Sequence, residues 1–293
     1  MKVVGLMLAS TVSSDRGPEN YTPMVNACKN TWHKTASNDV KVFSVFGNTH
    51  KPHLLEGTTR NEVVFDEDDL DIIVNTWELR TNILRKSVKG MEFLLNNYEF
   101  DYLFRPNCGS YVNTANLLSF LEDKPRGRYY DGMMGNTHGL GSSKLSCVSN
   151  NNGKMDFKVK RTLIPFCSGA CTLYSRDVVE LIVKNQHDLE YDGTIRMDDS
   201  YTVIFLNNAG IQPYELQGKY TEEKRKTLTN VKNHVQKRIV AKNSRELQKL
   251  FSPDVFHYYF NHTLNPNLIY ECHSLFGFEV RENFGKFVKL RLV

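Results

Sequence analysis

Short apolar runs that alternate with helically spaced segments constrain the fold of this chain more than any other feature. Residues 2–8, 40–46, 63–65 and 102–105 are brief runs rich in Val, Leu and Phe. Between the first two, residues 21–33 carry Met24, Ala27, Cys28 and Trp32 at helical spacing. Residues 77–96 place Leu79, Ile83, Leu84, Val88, Met91 and Leu95 near one stripe, which predicts the longest helix. Pro106 stops the run at 102–105, and residues 113–122 are again helical in pattern. Nearly continuous apolar strands separated by helices predict a largely parallel sheet covered on both faces. Ligands of such sheets sit beyond the carboxyl ends of the strands. The loops at 9–20, 47–61, 105–112 and 167–171 should therefore line one cleft.

Two later segments suggest chemistry. PFCSGACTLYSRDVVELI (165–182) reads as a buried strand that turns through small residues into a helix, with Ser168-Gly169 as the tight turn. RMDDSYTVIFLNNAGI (196–211) opens on two adjacent carboxylates and runs into an apolar helix ending at Asn-Ala-Gly. A carboxylate beside a tight turn suits removal of a proton from a hydroxyl while the turn holds a second substrate, which points to group transfer to an alcohol. Asp198 and Asp199 read equally well as a helix cap with its first-turn acid. Residues 123–161 are rich in Gly, Asn and Ser, and predict hairpins and loops. From Gly218 the chain changes character, with a basic helical stretch, the aromatic run FHYYFNH (256–262) and a last strand at 287–293. The expected division is a catalytic domain over 1–217 and an extension over 218–293 packed on it.

Composition excludes several classes. Formal net charge is +4 and no nucleic-acid-binding motif is present, so no nucleic acid partner is expected. Charge is uneven: residues 219–249 hold ten Lys and Arg against three Glu, which reads first as a solvated face. The acidic run FDEDDLDI lacks the Gly and terminal Glu of a calcium loop and reads as structural. No His pair has metal-ligand spacing. The six cysteines lack zinc spacing and predict buried free thiols in a reducing compartment. Trp32 and Trp77 read as packing residues rather than sugar platforms. MKVVGLMLAS is too short in its apolar stretch for a signal and reads as the first strand; no segment reaches membrane length. A soluble, cytoplasmic protein follows as the expectation, and the Lys- and Asn-rich composition suggests a viral or microbial source.

Six motifs in one order carry a resemblance. They are NACKNTW (26–32), VKVFSVFG (40–47), FDEDDLDII (65–73), NILRKSVKGM (82–91), PFCSGACTLYSRDVV (165–179) and MDDSYT (197–202). Together they resemble the β-1,3-galactosyltransferase and fringe glycosyltransferases over roughly residues 3–215. The resemblance implies a GT-A-like α/β fold, a Rossmann-like, mixed and mostly parallel sheet flanked by helices, with a C-terminal extension. It implies inverting transfer of a sugar from a UDP-sugar donor to an acceptor hydroxyl on a glycan. It makes Asp199 the general base, with Asp198 as fallback, and places Lys86, Arg105, Asn107, Ser168 and Gly169 around the donor.

The departure is as informative. The family's Asp-x-Asp, which holds a divalent metal such as manganese or magnesium on the diphosphate, falls on Asn107-Cys108-Gly109 in FRPNCGSYVN (104–113). Neither Asn nor Gly supplies the charged oxygen such a cation wants. Three readings remain: Arg and Lys, from the basic stretch 219–249 and from Arg85, Lys86 and Arg105, clamp the diphosphate, other carboxylates keep a weak metal site, or the chain is a non-catalytic nucleotide-sugar or glycan-binding protein. Each donor residue has a plainer reading too. Asn107 caps its own loop, Arg105 is a surface strand-end charge, and Lys86 is a solvated charge on its helix.

Overall fold

The computed structural model describes residues 1–11, 21–79, 82–134, 146–147, 157–158, 167–186, 202–203, 205–207, 209–214, 238–260 and 263–278. Among them the strands, in chain order, are β1 (Val3–Leu8), β2 (Val40–Phe46), β3 (Val63–Asp66), β4 (Asp71–Val74), β5 (Tyr102–Pro106), β6 (Ser110–Val112), β7 (Tyr130–Met134), β8 (Ser146–Cys147), β9 (Phe157–Lys158), β10 (Cys167–Ser175), β11 (Arg238–Val240) and β12 (His257–Tyr259). The α-helices are α1 (Thr22–Cys28), α2 (Ile83–Asn97), α3 (Thr114–Leu121), α4 (Arg176–Lys184), α5 (Ser244–Leu250) and α6 (Pro266–Leu275).

The main sheet has the order β3-β4-β2-β1-β5-β10-β7. Its four central strands β4, β2, β1 and β5 run parallel, as their apolar sequences require. Antiparallel strands close it, β3 on β4 at one edge and β10 then β7 at the other. Apolar residues cover both faces. On one, Met7, Val42 and Phe104 pack with Met24, Trp32, Leu117 and Ile269. On the other, Leu6, Val45 and Leu103 pack with Val88, Leu94, Val179 and Ile182. The mixed α/β architecture is thus the one the sequence predicts.

Strand order reverses at β1. The chain goes from β1 to β2 on one side and comes back to β5 on the other, so β1 and β5 flank the switch point where such sheets bind ligands. A single parallel bridge, Leu8 to Asn107, closes the two strand ends onto each other. Beyond β5 the chain forms β6, which pairs antiparallel with β12, and β12 pairs in turn with β11. The second sheet therefore joins the segment after β5 to strands from residues 238–260.

Several elements differ from expectation. The helix at 21–33 is α-helical to Cys28 and continues as a π turn over Lys29–His33. The longest helix starts at Ile83 rather than 77; Leu79, 49% exposed, does not pack along the stripe, and Trp77, 65% exposed, is not the packing residue expected. Trp32, by contrast, is buried. The acidic run is not a plain turn before a helix: it turns β3 into β4, a strand the apolar pattern hides because it starts on Asp71. Residues 123–161 contribute β7 to the main sheet. The end of the second chemical segment behaves as expected. Residues 202–203 and 205–207 are helical, and Gly210 at φ +71 closes the turn with its N–H on Asn207 O at 3.0 Å. Residues 164–166 and 287–293 lie outside the described residues, as does the basic stretch up to 237. Cys28, Cys108, Cys167, Cys171 and Cys272 are buried thiols outside any disulfide. Among the described residues no helix is long and apolar enough to cross a membrane.

Asp71 is fully buried, yet its charge is matched from remote parts of the chain. Lys29 Nζ lies 2.5 Å from Oδ1, His50 Nε2 2.9 Å and Lys51 Nζ 3.3 Å from Oδ2. Burial works to raise its pKa, but hydrogen bonds from His50 and Lys29 outweigh burial and hold the carboxyl below its usual range. Asp71→Asn should lower unfolding free energy by about 2 kcal/mol in urea melts at pH 7, since bonds to a charged group are lost. A depressed pKa means this contribution is present above the unfolded-state value and disappears as pH falls through the folded one. The gap between wild type and variant should therefore close below about pH 4; a constant gap would place the effect elsewhere.

Candidate functional site

The carboxyl ends of β1, β2 and β4 are tied by one buried ion pair. Lys86 reaches from α2 and donates to Ala9 O at 2.7 Å and to Glu78 Oε2 at 2.8 Å. Both side chains are nearly inaccessible, at 6% and 5% exposure. Glu78 Oε1 accepts the Gly47 N–H, just past β2. A Cβ on Gly47 would lie 2.7 Å from Thr76 O and 2.9 Å from the Glu78 side chain, so the approach needs glycine. Lys86 is therefore not the solvated charge its helix position suggested. Its ammonium fixes the loop after β1 from behind the switch point.

The loop after β5 is organised by Asn107. Its N–H donates to Ala170 O at 3.0 Å, and its Oδ1 accepts from Gly109 N at 3.0 Å and lies 3.1 Å from Ser110 Oγ. The loop-capping reading of Asn107 is the one these contacts support. Burial pushes the neighbouring Cys108 thiol up to about 12, so it stays protonated. With an amide turned into its own loop, a protonated thiol and a glycine, the position of the family's Asp-x-Asp does not fit a hard divalent cation. Among the described residues no group of three or more His, Cys, Asp or Glu stands ready for a metal ion.

Opposite this loop, β10 is irregular. Cys167 pairs with Met134, but the next pair is Thr172 with Gly132, so five steps along β10 face two along β7. Ser168 and Gly169 sit in this bulge, half-buried, and not in a tight turn before a helix; the strand continues to Ser175 and α4 follows directly. Gly132 permits the close approach, since a Cβ there would lie 2.4 Å from Cys167 Cβ. Three carbonyls of the bulge are held. Gly169 O accepts from Arg105 Nη1 at 2.6 Å, Ala170 O from Asn107 N, and Cys171 O from Arg238 Nη1 at 2.9 Å. Arg105 is buried, which overturns its reading as a surface strand-end charge.

Behind the bulge lies a buried polar group. Asp131 Oδ1 accepts from Gly132 N at 2.7 Å and Oδ2 from Tyr129 OH at 3.1 Å. Burial, then the Asp131 charge, pushes the Tyr129 phenol far up. His257 sits beside Arg238 in strand register, with Nε2 3.1 Å from Ser110 Oγ. Burial first and the Arg238 charge second hold its imidazole well below the usual range, so it is neutral.

The structure thus gathers Arg105, Asn107, Ser168 and Gly169 at one side of the Leu8–Asn107 bridge and sets Lys86 on the other. Asp198 and Asp199 lie outside the described residues. Sequence reading missed Glu78, Asp131, Arg238 and His257. The usable signal for Arg238 was its place at the head of the apolar run RIVA (238–241) inside a basic stretch taken as solvated.

Comparison with known proteins gives three findings. The Galactosyltransferase family model matches residues 25–217. Beta-1,3-galactosyltransferase 1 of Mus musculus is 24% identical over 199 residues, covering 66% of this chain and 58% of its own length, and the Homo sapiens protein gives the same values. The chain accordingly spans a little over half the length of these relatives. Among solved structures, the apo form of the glycosyltransferase GlyE of Streptococcus pneumoniae aligns with a TM-score of 0.41 at 9% identity, covering 93% of this chain and 60% of that one. A CMP:2-keto-3-deoxy-manno-octonic acid synthetase complexed with CTP aligns with a TM-score of 0.38 at 16% identity, covering 73% and 88%. Lys86, Arg105, Asn107, Ser168, Gly169, Asp198 and Asp199 fall inside the family-matched segment, whereas Arg238 and His257 fall beyond it.

Proposed function

This chain belongs to the galactosyltransferase family, and on that premise we propose that it is an inverting glycosyltransferase that moves a sugar from a UDP-sugar donor to an acceptor hydroxyl on a glycan. The observation that supports the reading is the switch point between β1 and β5, where such sheets bind ligands, with Asn107 and the bulge of β10 at the ends of these strands. Inverting transfer needs a base on the acceptor side and charge stabilisation on the leaving side. Asp199 takes the acceptor proton, with Asp198 as the alternative. The departing diphosphate is stabilised by fixed cations, because the Asn107-Cys108-Gly109 loop offers no charged oxygen to a metal. Arg105 is one such cation, placed against Gly169 at the bulge.

The test is hydrolysis and transfer from UDP-galactose, UDP-glucose, UDP-N-acetylglucosamine and UDP-xylose, with excess chelator and with manganese. Turnover should survive the chelator at least in part. Complete loss restored by manganese would show that carboxylates elsewhere hold a metal. A second reading, a non-catalytic nucleotide-sugar or glycan-binding protein, is favoured by that same replaced loop. It predicts that a donor binds in calorimetry but is neither hydrolysed nor transferred.

A further inference from the structure

We propose that the side-on edge of the Arg238 guanidinium is a built receptor for two phosphoryl oxygens of a diphosphate, supplying charge that the loop after β5 cannot recruit through a metal. This rests on the glycosyltransferase reading for its choice of ligand. The observation itself does not. Arg238 opens β11 and is 0% exposed. Its Nη1 donates to Cys171 O at 2.9 Å, and its plane lies over the Phe256 ring at 4.8 Å. Its Nε and Nη2 have no hydrogen-bond partner among the described residues. These two nitrogens point the same way from the planar group, and together they form the fork that takes two oxygens of one anion.

A buried guanidinium with two unmet donors is destabilising unless an acceptor arrives. Among the described residues Asp131 does not fill the role: its two carboxylate oxygens accept from Gly132 N and Tyr129 OH. The neighbour in register, His257, is neutral. Arg105, buried on β5, donates to Gly169 O, two residues before the carbonyl that Arg238 binds. The place of Arg238 fits a diphosphate. The carbonyl that orients Arg238 belongs to Cys171, next to Ala170, whose carbonyl binds the Asn107 N–H at the switch point. Arg238 also lies beyond the family-matched segment, so the added charge comes from a part of the chain separate from the altered metal loop. Burial strengthens each bond the fork makes.

The experiment is calorimetry on the full chain with inorganic pyrophosphate, UDP and uridine, for wild type, Arg238→Gln and Arg238→Lys. Pyrophosphate and UDP should each bind the Gln variant at least tenfold more weakly than wild type, while uridine affinity is unchanged. Arg238→Lys keeps a donor and a charge but lacks the fork, and should weaken both phosphate ligands severalfold; it decides the matter if the Gln variant does not fold. Unchanged UDP affinity in a folded variant overturns the inference and leaves the glycosyltransferase reading intact. Pyrophosphate binding that depends on Arg238, without any UDP binding, upholds the receptor and sinks the UDP-sugar donor. Wild type that binds neither ligand ends both.

Discussion

Glu78→Gln is expected to destabilise the protein by about 3 kcal/mol or more, because it strands a buried ammonium. Lys86 and Glu78 meet at 2.8 Å with almost no exposure on either side, and the Gln variant leaves the ammonium with Ala9 O and an uncharged amide in place of its counter-ion. Lys86→Met is expected to cost a similar amount by leaving the carboxylate with only the Gly47 N–H. The two losses should not add. A Glu78→Gln, Lys86→Met double variant removes both charges and should regain most of the stability of the singles, as replaced buried pairs commonly do. Urea denaturation of all four proteins measures this, and additive costs would exclude a coupled pair. Function should separate from stability in the double variant. The pair sets the positions of Ala9 and Gly47 at the crevice, so donor affinity should stay reduced when folding free energy has recovered.

Asp199→Asn is expected to leave folding and donor binding intact and to lower turnover roughly a hundredfold or more. Its amide keeps the shape of the carboxylate and loses the capacity to accept a proton. Asp198→Asn should have a smaller effect if the neighbour only supports the helix start. Near-normal turnover in Asp199→Asn, with loss in Asp198→Asn, would exchange the roles. Near-normal turnover in both would remove the carboxylate base from the mechanism.

The parallel strands β1, β2 and β5 and the helices α3 and α4 were legible because each is buried or amphipathic enough to write its period into local sequence. What failed depended on partners far along the chain. β4 begins on a carboxylate, and nothing within the segment reveals that Lys29 and His50 will match its charge. Leu79 sat on the stripe of the long helix by coincidence of spacing, and no packing partner enforces it. The site shows the same limit. Lys86 and Arg105 could be placed near the crevice by motif, but their burial follows from Glu78 and Gly169, eight and sixty-four positions away. Arg238 was lost in a count of basic residues, since a count does not tell a solvated lysine from a guanidinium laid on Phe256.

The second sheet has a consequence for how this molecule can be divided. The family match stops at residue 217, and a fragment cut there would look like a complete catalytic unit. It would, however, lose β12, the neighbour that pairs with β6 from Ser110 to Val112. Tyr111 and Val112 are buried in the intact chain. Cut free, they would flank an open strand edge, the kind of surface on which chains pair with one another and precipitate. Residues 1–217 expressed alone are therefore expected to self-associate where the chain that carries β12 does not, which makes the folding unit longer than the segment that homology recognises.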